Sequence, residues 1–180
     1  MLVIHIISTE DTNDFSGIYD GLENTTVLIN PTKSECKKAI INEKERIIFI
    51  GHGTAWGLLN QRLDGYIVDS NMVQFLRGKD IIGIWCNASD FGDRYELTGF
   101  FTSMFISNVD ELVSCGFKTF DNCDEEIKRQ NKIFASRINQ FLTANIPSKE
   151  WAMKLYKSLK NEKKFVYYNY EAMYSTEDND

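Results

Sequence analysis

Two residues able to share nucleophilic chemistry close successive apolar runs. His52 follows Arg46-Ile47-Ile48-Phe49-Ile50 inside Gly51-His52-Gly53, and Cys86 follows Asp80-Ile81-Ile82-Gly83-Ile84-Trp85. A thiol is mostly protonated at neutral pH whereas its thiolate attacks a carbonyl carbon well, so a cysteine nucleophile needs a partner to take its proton. An imidazole does this and can return the proton to a leaving amine. Gly53, lacking a side chain, would let a backbone amide approach the oxyanion that develops on the attacked carbonyl. His52 and Cys86 are therefore the candidate catalytic residues and Gly53 the candidate oxyanion contact. Taken alone, Cys86 reads as a small buried hydrophobe at a strand end. A histidine between two glycines after an apolar strand is a poor core filler, and the pair together points to catalysis.

The elements that would position this pair are legible in the pattern. Leu2 to Ile7 and Thr26 to Ile29 have the length and β-branched content of buried strands, as do the runs before His52 and Cys86. Thr32-Lys33-Ser34-Glu35 is a capping box that predicts a helix to about Lys44, with Cys36, Ala39 and Ile40 inward. Gly57-Leu58-Leu59-Asn60 and Tyr66-Ile67-Val68 flank a polar turn and predict a hairpin, followed by a brief helix capped by Ser70. Ser103 to Ser107 predicts a fifth strand, while Ser89 to Thr102 carries no full helical pattern. From Asp124 a helix presents Ile127, Phe134, Ile138, Phe141 and Leu142 on one face. Ser148 caps another with Trp151, Leu155 and Leu159 inward, and Phe165 to Tyr168 predicts a last strand. Continuous apolar strands alternating with helices imply an α/β domain, a three-layer α/β/α sandwich with a mainly parallel sheet, over residues 1–174. Residues 175–180 read as an acidic flexible tail. In such sheets ligands gather beyond the carboxyl ends of the strands, which is where both His52 and Cys86 fall.

An apolar strand ending in His-Gly, a short hairpin and helix, then an apolar strand ending in Cys resembles the caspase-like clan of cysteine peptidases, including metacaspases, clostripain and the CHAT domains. The run Phe105-Ile106-Ser107-Asn108-Val109-Asp110-Glu111 before a long helix is similar to the CHAT pattern. The resemblance implies a caspase–haemoglobinase fold and peptide-bond cleavage through a thioester, with His52 and Cys86 as the dyad, Gly53 at the oxyanion and a peptide or protein as substrate. Class I glutamine amidotransferases, in which Cys precedes His, have the opposite chain order. Asp11, Asp14, Asp90 and Asp110 could each line a negative pocket for an Arg or Lys beside the cleaved bond. The acid surplus argues for a basic or uncharged side chain there. Trp56 and Trp85 flank the proposed cleft, with core packing their favoured role.

Composition narrows the alternatives. The chain has 180 residues, 43% hydrophobic, which suffices for one core. No apolar run approaches the roughly 20 residues of a membrane-spanning helix, so a soluble cytoplasmic protein without membrane contact is expected. Cys36, Cys86, Cys115 and Cys123 form no CxxC pair and the two histidines, His5 and His52, are far from a zinc spacing. Neither a metal nor an organic cofactor is expected; His5 reads as a satisfied core histidine, and Cys36, Cys115 and Cys123 as packing thiols. Residues 1–127 hold 20 acids and 10 bases, whereas residues 128–164 hold 10 bases and 2 acids. Those late bases read as solvated helix faces, with nucleic-acid binding the less favoured alternative. A catalytically idle interaction module of the same fold is the other rival, motivated by Ile84 where many caspase-like enzymes carry a pocket Gln or Asp. A regulatory protein partner is compatible with either reading.

Overall fold

The computed structural model describes residues 1–176. In chain order the first half runs β1 (Leu2–His5), α1 (Glu10–Asn13), a 3-10 turn (Asp14–Ile18), β2 (Thr26–Ile29), α2 (Lys33–Asn42), β3 (Arg46–Ile50), β4 (Gly53–Thr54), β5 (Gly57–Leu59), β6 (Tyr66–Val68) and α3 (Val73–Leu76). The second half runs β7 (Asp80–Ile84), α4 (Ala88–Arg94), β8 (Gly99–Phe101), α5 (Val109–Ser114), α6 (Cys123–Thr143), α7 (Trp151–Lys157), α8 (Lys164–Glu171) and β9 (Tyr174–Ser175).

Six strands form one sheet in the order β2-β1-β3-β7-β8-β9, and β4-β5-β6 form a small sheet of their own. The large sheet is parallel from β2 to β8, and only β9 is antiparallel. Side chains alternate across it, as a period of two demands. Ile47, Phe49 and Ile81 face Cys36 and Ile40 of α2 and Phe91 of α4. Ile48, Ile50, Ile82 and Ile84 face the opposite core, built with Phe134 and Ile138 of α6, Trp151 of α7 and Phe165 of α8. Helices thus cover both faces, the reason these strands read as unbroken apolar runs. The architecture is mixed α/β with a mostly parallel central sheet.

The predicted capping box forms: the Thr32 hydroxyl accepts from the Glu35 amide at 3.3 Å while the Glu35 carboxylate accepts from the Thr32 amide at 2.8 Å. The hairpin also forms, as β5 and β6, with β4 added to it.

Six expectations need correction. Asp69, not Ser70, caps the turn leading into α3, its carboxylate accepting from the Asn71 amide at 2.9 Å, and Ser148 lies inside the 3-10 turn before α7 with its hydroxyl donating to Asp80 and not to a helix amide. Residues 89–102 do contain a helix, α4, in which Gly92 allows the Phe101 ring to sit directly against the backbone, a packing reason invisible in periodicity. The fifth parallel strand is Gly99–Phe101, not Ser103 to Ser107. The backbone of that later segment is bonded by side-chain amides instead. Asn169 accepts from the Ile106 amide at 2.8 Å and donates to its carbonyl at 3.0 Å, and Asn131 donates to the Ser107 carbonyl at 2.9 Å. The run Phe165 to Tyr168 is helical, within α8, and buries Phe165, Val166, Asn169 and Tyr170 at helical spacing; a four-residue apolar run alone does not separate the two states. Ser175 and Thr176 are not a loose tail: Ser175 pairs with Phe100 in β9 and the Thr176 amide bonds the Gly99 carbonyl. The rest of the expected tail, residues 177–180, lies outside the described residues.

Candidate functional site

β1, β3, β7 and β8 are adjacent in the sheet, so the loops leaving their carboxyl ends meet on one rim. Each supplies part of a single cluster. The last bond joining β3 to β7 runs from the Gly51 amide to the Ile84 carbonyl at 3.1 Å, and His52 follows it at once. The Leu59 amide donates to the His52 carbonyl at 2.9 Å, tying the histidine backbone to the small sheet. The imidazole Nε2 lies 2.8 Å from the Thr9 hydroxyl and 3.6 Å from the Asp11 carboxylate, on the loop after β1.

That loop is held from below. His5, at 0% exposure in β1, donates from Nε2 to the Thr12 carbonyl at 2.8 Å. A carbonyl only accepts, so the proton is on Nε2 and Nδ1 accepts from the Tyr19 hydroxyl at 2.9 Å. Burial lowers the His5 pKa to about 4, against the raising effect of the Thr12 carbonyl, and keeps the ring neutral. The satisfied core histidine expected from the sequence is what the coordinates contain. Above it, the Thr12 hydroxyl donates to the Thr9 carbonyl at 2.8 Å and accepts from the Ser8 and Thr9 amides at 3.2 Å, fixing the turn that carries Asp11.

Cys86 sits at the apex of a strand-turn-helix between β7 and α4. Thr102, just past β8, holds the preceding residue on both sides: its hydroxyl accepts from the Trp85 amide at 3.1 Å and donates to the Trp85 carbonyl at 2.9 Å. Asn87 then takes a left-handed conformation (φ 64°), which Asn tolerates better than most residues, and α4 begins. The half-buried sulfur lies 3.5 Å from the Phe105 carbonyl and 3.7 Å from Glu111 Oε1. Glu111 is in the first turn of α5, where its amide donates to the Asn108 side chain at 2.9 Å in an N-cap. Its other oxygen accepts from the Ser107 amide at 2.7 Å. Asp11 accepts from the Ser107 hydroxyl at 2.7 Å and from Asn108 Nδ2 at 3.1 Å. The Ser107 hydroxyl is also 2.8 Å from Glu111, so its single proton lies between two carboxylates.

The charges follow from these contacts. The Asp11 carboxylate beside Nε2 raises the His52 pKa above its ordinary value; burial opposes this, and the Glu111 charge adds to it. Burial disfavours the charged form of Asp11, but bonds from His52, Thr9, Ser107 and Asn108 outweigh it and hold the carboxyl below the usual range. Burial first, and then the Glu111 charge, push the Cys86 thiol up to about 12.

Cys86 and His52 line one notch with Gly51, Trp85, Phe105 and Ser107. Its volume is about 20 Å³, space for roughly one water. Larger cavities of about 400 and 520 Å³ lie elsewhere, one at the amino ends of β3 and β7 around the Arg46–Asp80 ion pair, the other beside Asp14 and Lys132.

Gly53 has a clear structural reason. A methyl group there would run into the Trp85 indole and the Gly57 carbonyl, so glycine lets β4 lie across the ring. Trp85 is buried, as expected, and donates from Nε1 to the Thr54 carbonyl at 3.1 Å. Trp56 is outside the core, 59% exposed, with the Arg94 guanidinium stacked 3.8 Å from its ring centre. Of the four aspartates considered for a pocket, Asp11 joins His52, Asp14 pairs with Lys132 at 3.9 Å, and Asp90 and Asp110 are exposed on their helices. Cys36 and Cys123 are buried and Cys115 half-buried, all as free thiols.

Several late bases are engaged locally: Lys128 with Glu10 and Asp124, Arg129 with Glu126, Lys154 with Glu150, and Lys163 over Phe120. Among the described residues no His, Cys, Asp and Glu group has metal-binding geometry, and no helix is long and apolar enough to cross a membrane.

Sequence reading missed Thr9, Ser107 and Glu111 as site residues. Ser107 and Glu111 lie in the run that carries the CHAT-like pattern, the one signal that marked them. No family model matches the chain, and no curated protein or solved structure does so either.

Proposed function

We propose that this chain is a cysteine hydrolase of peptide bonds with a caspase-like arrangement, in which Cys86 is the nucleophile, His52 the acid–base residue and Asp11 its orienting carboxylate. One observation carries the reading: two hydrogen-bonded neighbouring strands deliver the thiol and the imidazole to the same notch, with a buried carboxylate 3.6 Å from the imidazole Nε2. With Nε2 engaged by Thr9 and Asp11, Nδ1 is the nitrogen left to accept a proton from sulfur. The thiolate adds to the substrate carbonyl, the imidazolium protonates the departing amine, and a thioester remains on Cys86. Water deprotonated by His52 then cleaves the thioester, returning the thiol and releasing the acid. The oxyanion contact in this proposal is the backbone amide of Gly53, the residue after His52, which pairs with Leu58 in the small sheet.

The test is cleavage of a mixed peptide pool, read by mass spectrometry of the new termini. Wild type is expected to produce a defined set of cuts that Cys86→Ala lacks entirely; cuts that persist in a folded Cys86→Ala protein contradict the assignment. The closed notch and the protonated thiol favour a second reading, an idle module of the same fold whose work is binding. It predicts no cuts from either protein.

A further inference from the structure

The sulfur of Cys86 has a carboxylate where a nucleophilic cysteine needs a proton acceptor without negative charge on the thiolate's doorstep. Glu111 Oε1 lies 3.7 Å from it, and neither of the sulfur's hydrogen bonds goes to His52. This contact is built, not incidental. The second Glu111 oxygen is pinned by the Ser107 amide at 2.7 Å, and the Glu111 amide is pinned by Asn108 at 2.9 Å. Segment 105–107, which also supplies the Phe105 carbonyl to the thiol, is stitched by Asn131 and Asn169. Phe105 itself is wedged edge-on to Phe15 at 5.6 Å and tilted against Phe134 at 5.0 Å.

We infer that Glu111 is a gate on the nucleophile: in the closed state it holds Cys86 as a hydrogen-bonded thiol, and the nucleophile is freed when that carboxylate swings away. This deepens the hydrolase reading and rests on it for its purpose, but its physical content concerns only the thiol. The ionisation of Cys86 is opposed first by burial beside Phe105 and Trp85, then by Glu111 of α5 and by Cys115 at the end of that helix, and Tyr168 of α8 also interacts with it. His52 faces the same notch but is charge-balanced by Asp11, so its help to a thiolate is offset while Glu111 stays in place. Opening breaks the Glu111 bonds to the Ser107 amide and hydroxyl, while α5 itself, anchored by its buried Leu112, can stay in place. Asp11 keeps its Asn108 bond and the Ser107 hydroxyl when Glu111 leaves, so the Asp11–His52 pair survives the movement.

The experiment measures the rate at which iodoacetamide alkylates Cys86, mapped by peptide mass spectrometry, in wild type and in Glu111→Gln. Gln has nearly the same shape, lacks the charge and can donate to a thiolate. Removing one negative charge at this distance is expected to speed alkylation at neutral pH by roughly ten- to a hundredfold and to lower its pH midpoint by about one unit or more. Wild-type Cys86 that reacts as fast as a free thiol, or a Glu111→Gln rate equal to wild type, overturns the gate; Glu111→Ala, with folding checked by circular dichroism, repeats the comparison if the Gln variant misfolds. Peptide cleavage by the same proteins separates the two ideas. Faster alkylation without any cleavage keeps the gate and removes the hydrolase, whereas cleavage by wild type with no alkylation difference keeps the hydrolase and removes the gate.

Discussion

Replacing Asp11 with Asn is expected to lower kcat/KM for peptide cleavage by about 10³- to 10⁴-fold, the scale on which an orienting carboxylate acts in histidine-dependent acyl transfer. Asp11 sets which imidazole nitrogen carries the proton. A carboxylate only accepts, so in the proposed dyad Asp11, 3.6 Å from Nε2, favours the tautomer with its hydrogen on Nε2 and the lone pair on Nδ1. An amide at position 11 can present N–H to Nε2 and reverse that tautomer. The substitution also removes the largest influence raising the His52 pKa, so the acid limb of the pH–rate profile, which requires neutral His52, moves to lower pH. Stability changes with the opposite emphasis. A histidine with a raised folded-state pKa contributes stability that is complete below its unfolded value of about 6.5 and fades as pH rises through the folded value. The Asp11 carboxyl is depressed, so its contribution is present above about 3.9 and is lost as pH falls toward the folded value. Asp11→Asn therefore destabilises the protein more at pH near 5 than at pH near 9, measurable by urea denaturation at the two pH values. Equal losses at both would contradict the pairing.

Asn169→Ala is expected to cost about 2–6 kcal/mol, because it strands the amide and carbonyl of Ile106, both deep in the protein, and each unsatisfied group costs about 1–3 kcal/mol. Asn169→Asp keeps the acceptor for the Ile106 amide and loses the donor to its carbonyl, and a carboxylate buried there adds its own desolvation. Urea midpoints with unchanged slope are the readout. A near-neutral Asn169→Ala would mean that segment 105–107 is held by its neighbours and not by this amide. The same segment carries Phe105 and Ser107 to the thiol and the two carboxylates, so its order is a condition for the closed notch.

Most of the scaffold is legible in the sequence because the sheet interior is covered on both faces. β1, β3 and β7 had to be continuous apolar runs, and the residues ending them had to emerge at one rim. That placed His52 and Cys86 together. The rest of the site was hidden by two physical circumstances. Asp11 and Ser107 are 96 positions apart and meet only after the loops of β1 and β8 fold over the rim, and nothing local marks either as a partner of the other. Segment 103–107 has strand-like composition, but its backbone bonds go to the side chains of Asn131, Asn169 and Glu111 and to the Asn87 amide, so composition misled about the element while reporting correctly that the backbone is bonded. β8 escaped notice for the converse reason: Gly99-Phe100-Phe101 is too short to register, and Gly99 is there because a side chain would strike the Ile81 carbonyl.

The central claim is that the Cys86 sulfur and the His52 imidazole work as a pair in one opening at the strand ends. Exposure to an electrophilic peptidyl ketone, followed by mass-spectrometric mapping, tests it most directly. A single adduct on Cys86 that is formed by wild type and lost in folded His52→Ala is the result expected. Labelling of Cys86 at the same rate without His52, or labelling that favours Cys115 or Cys123, would contradict it.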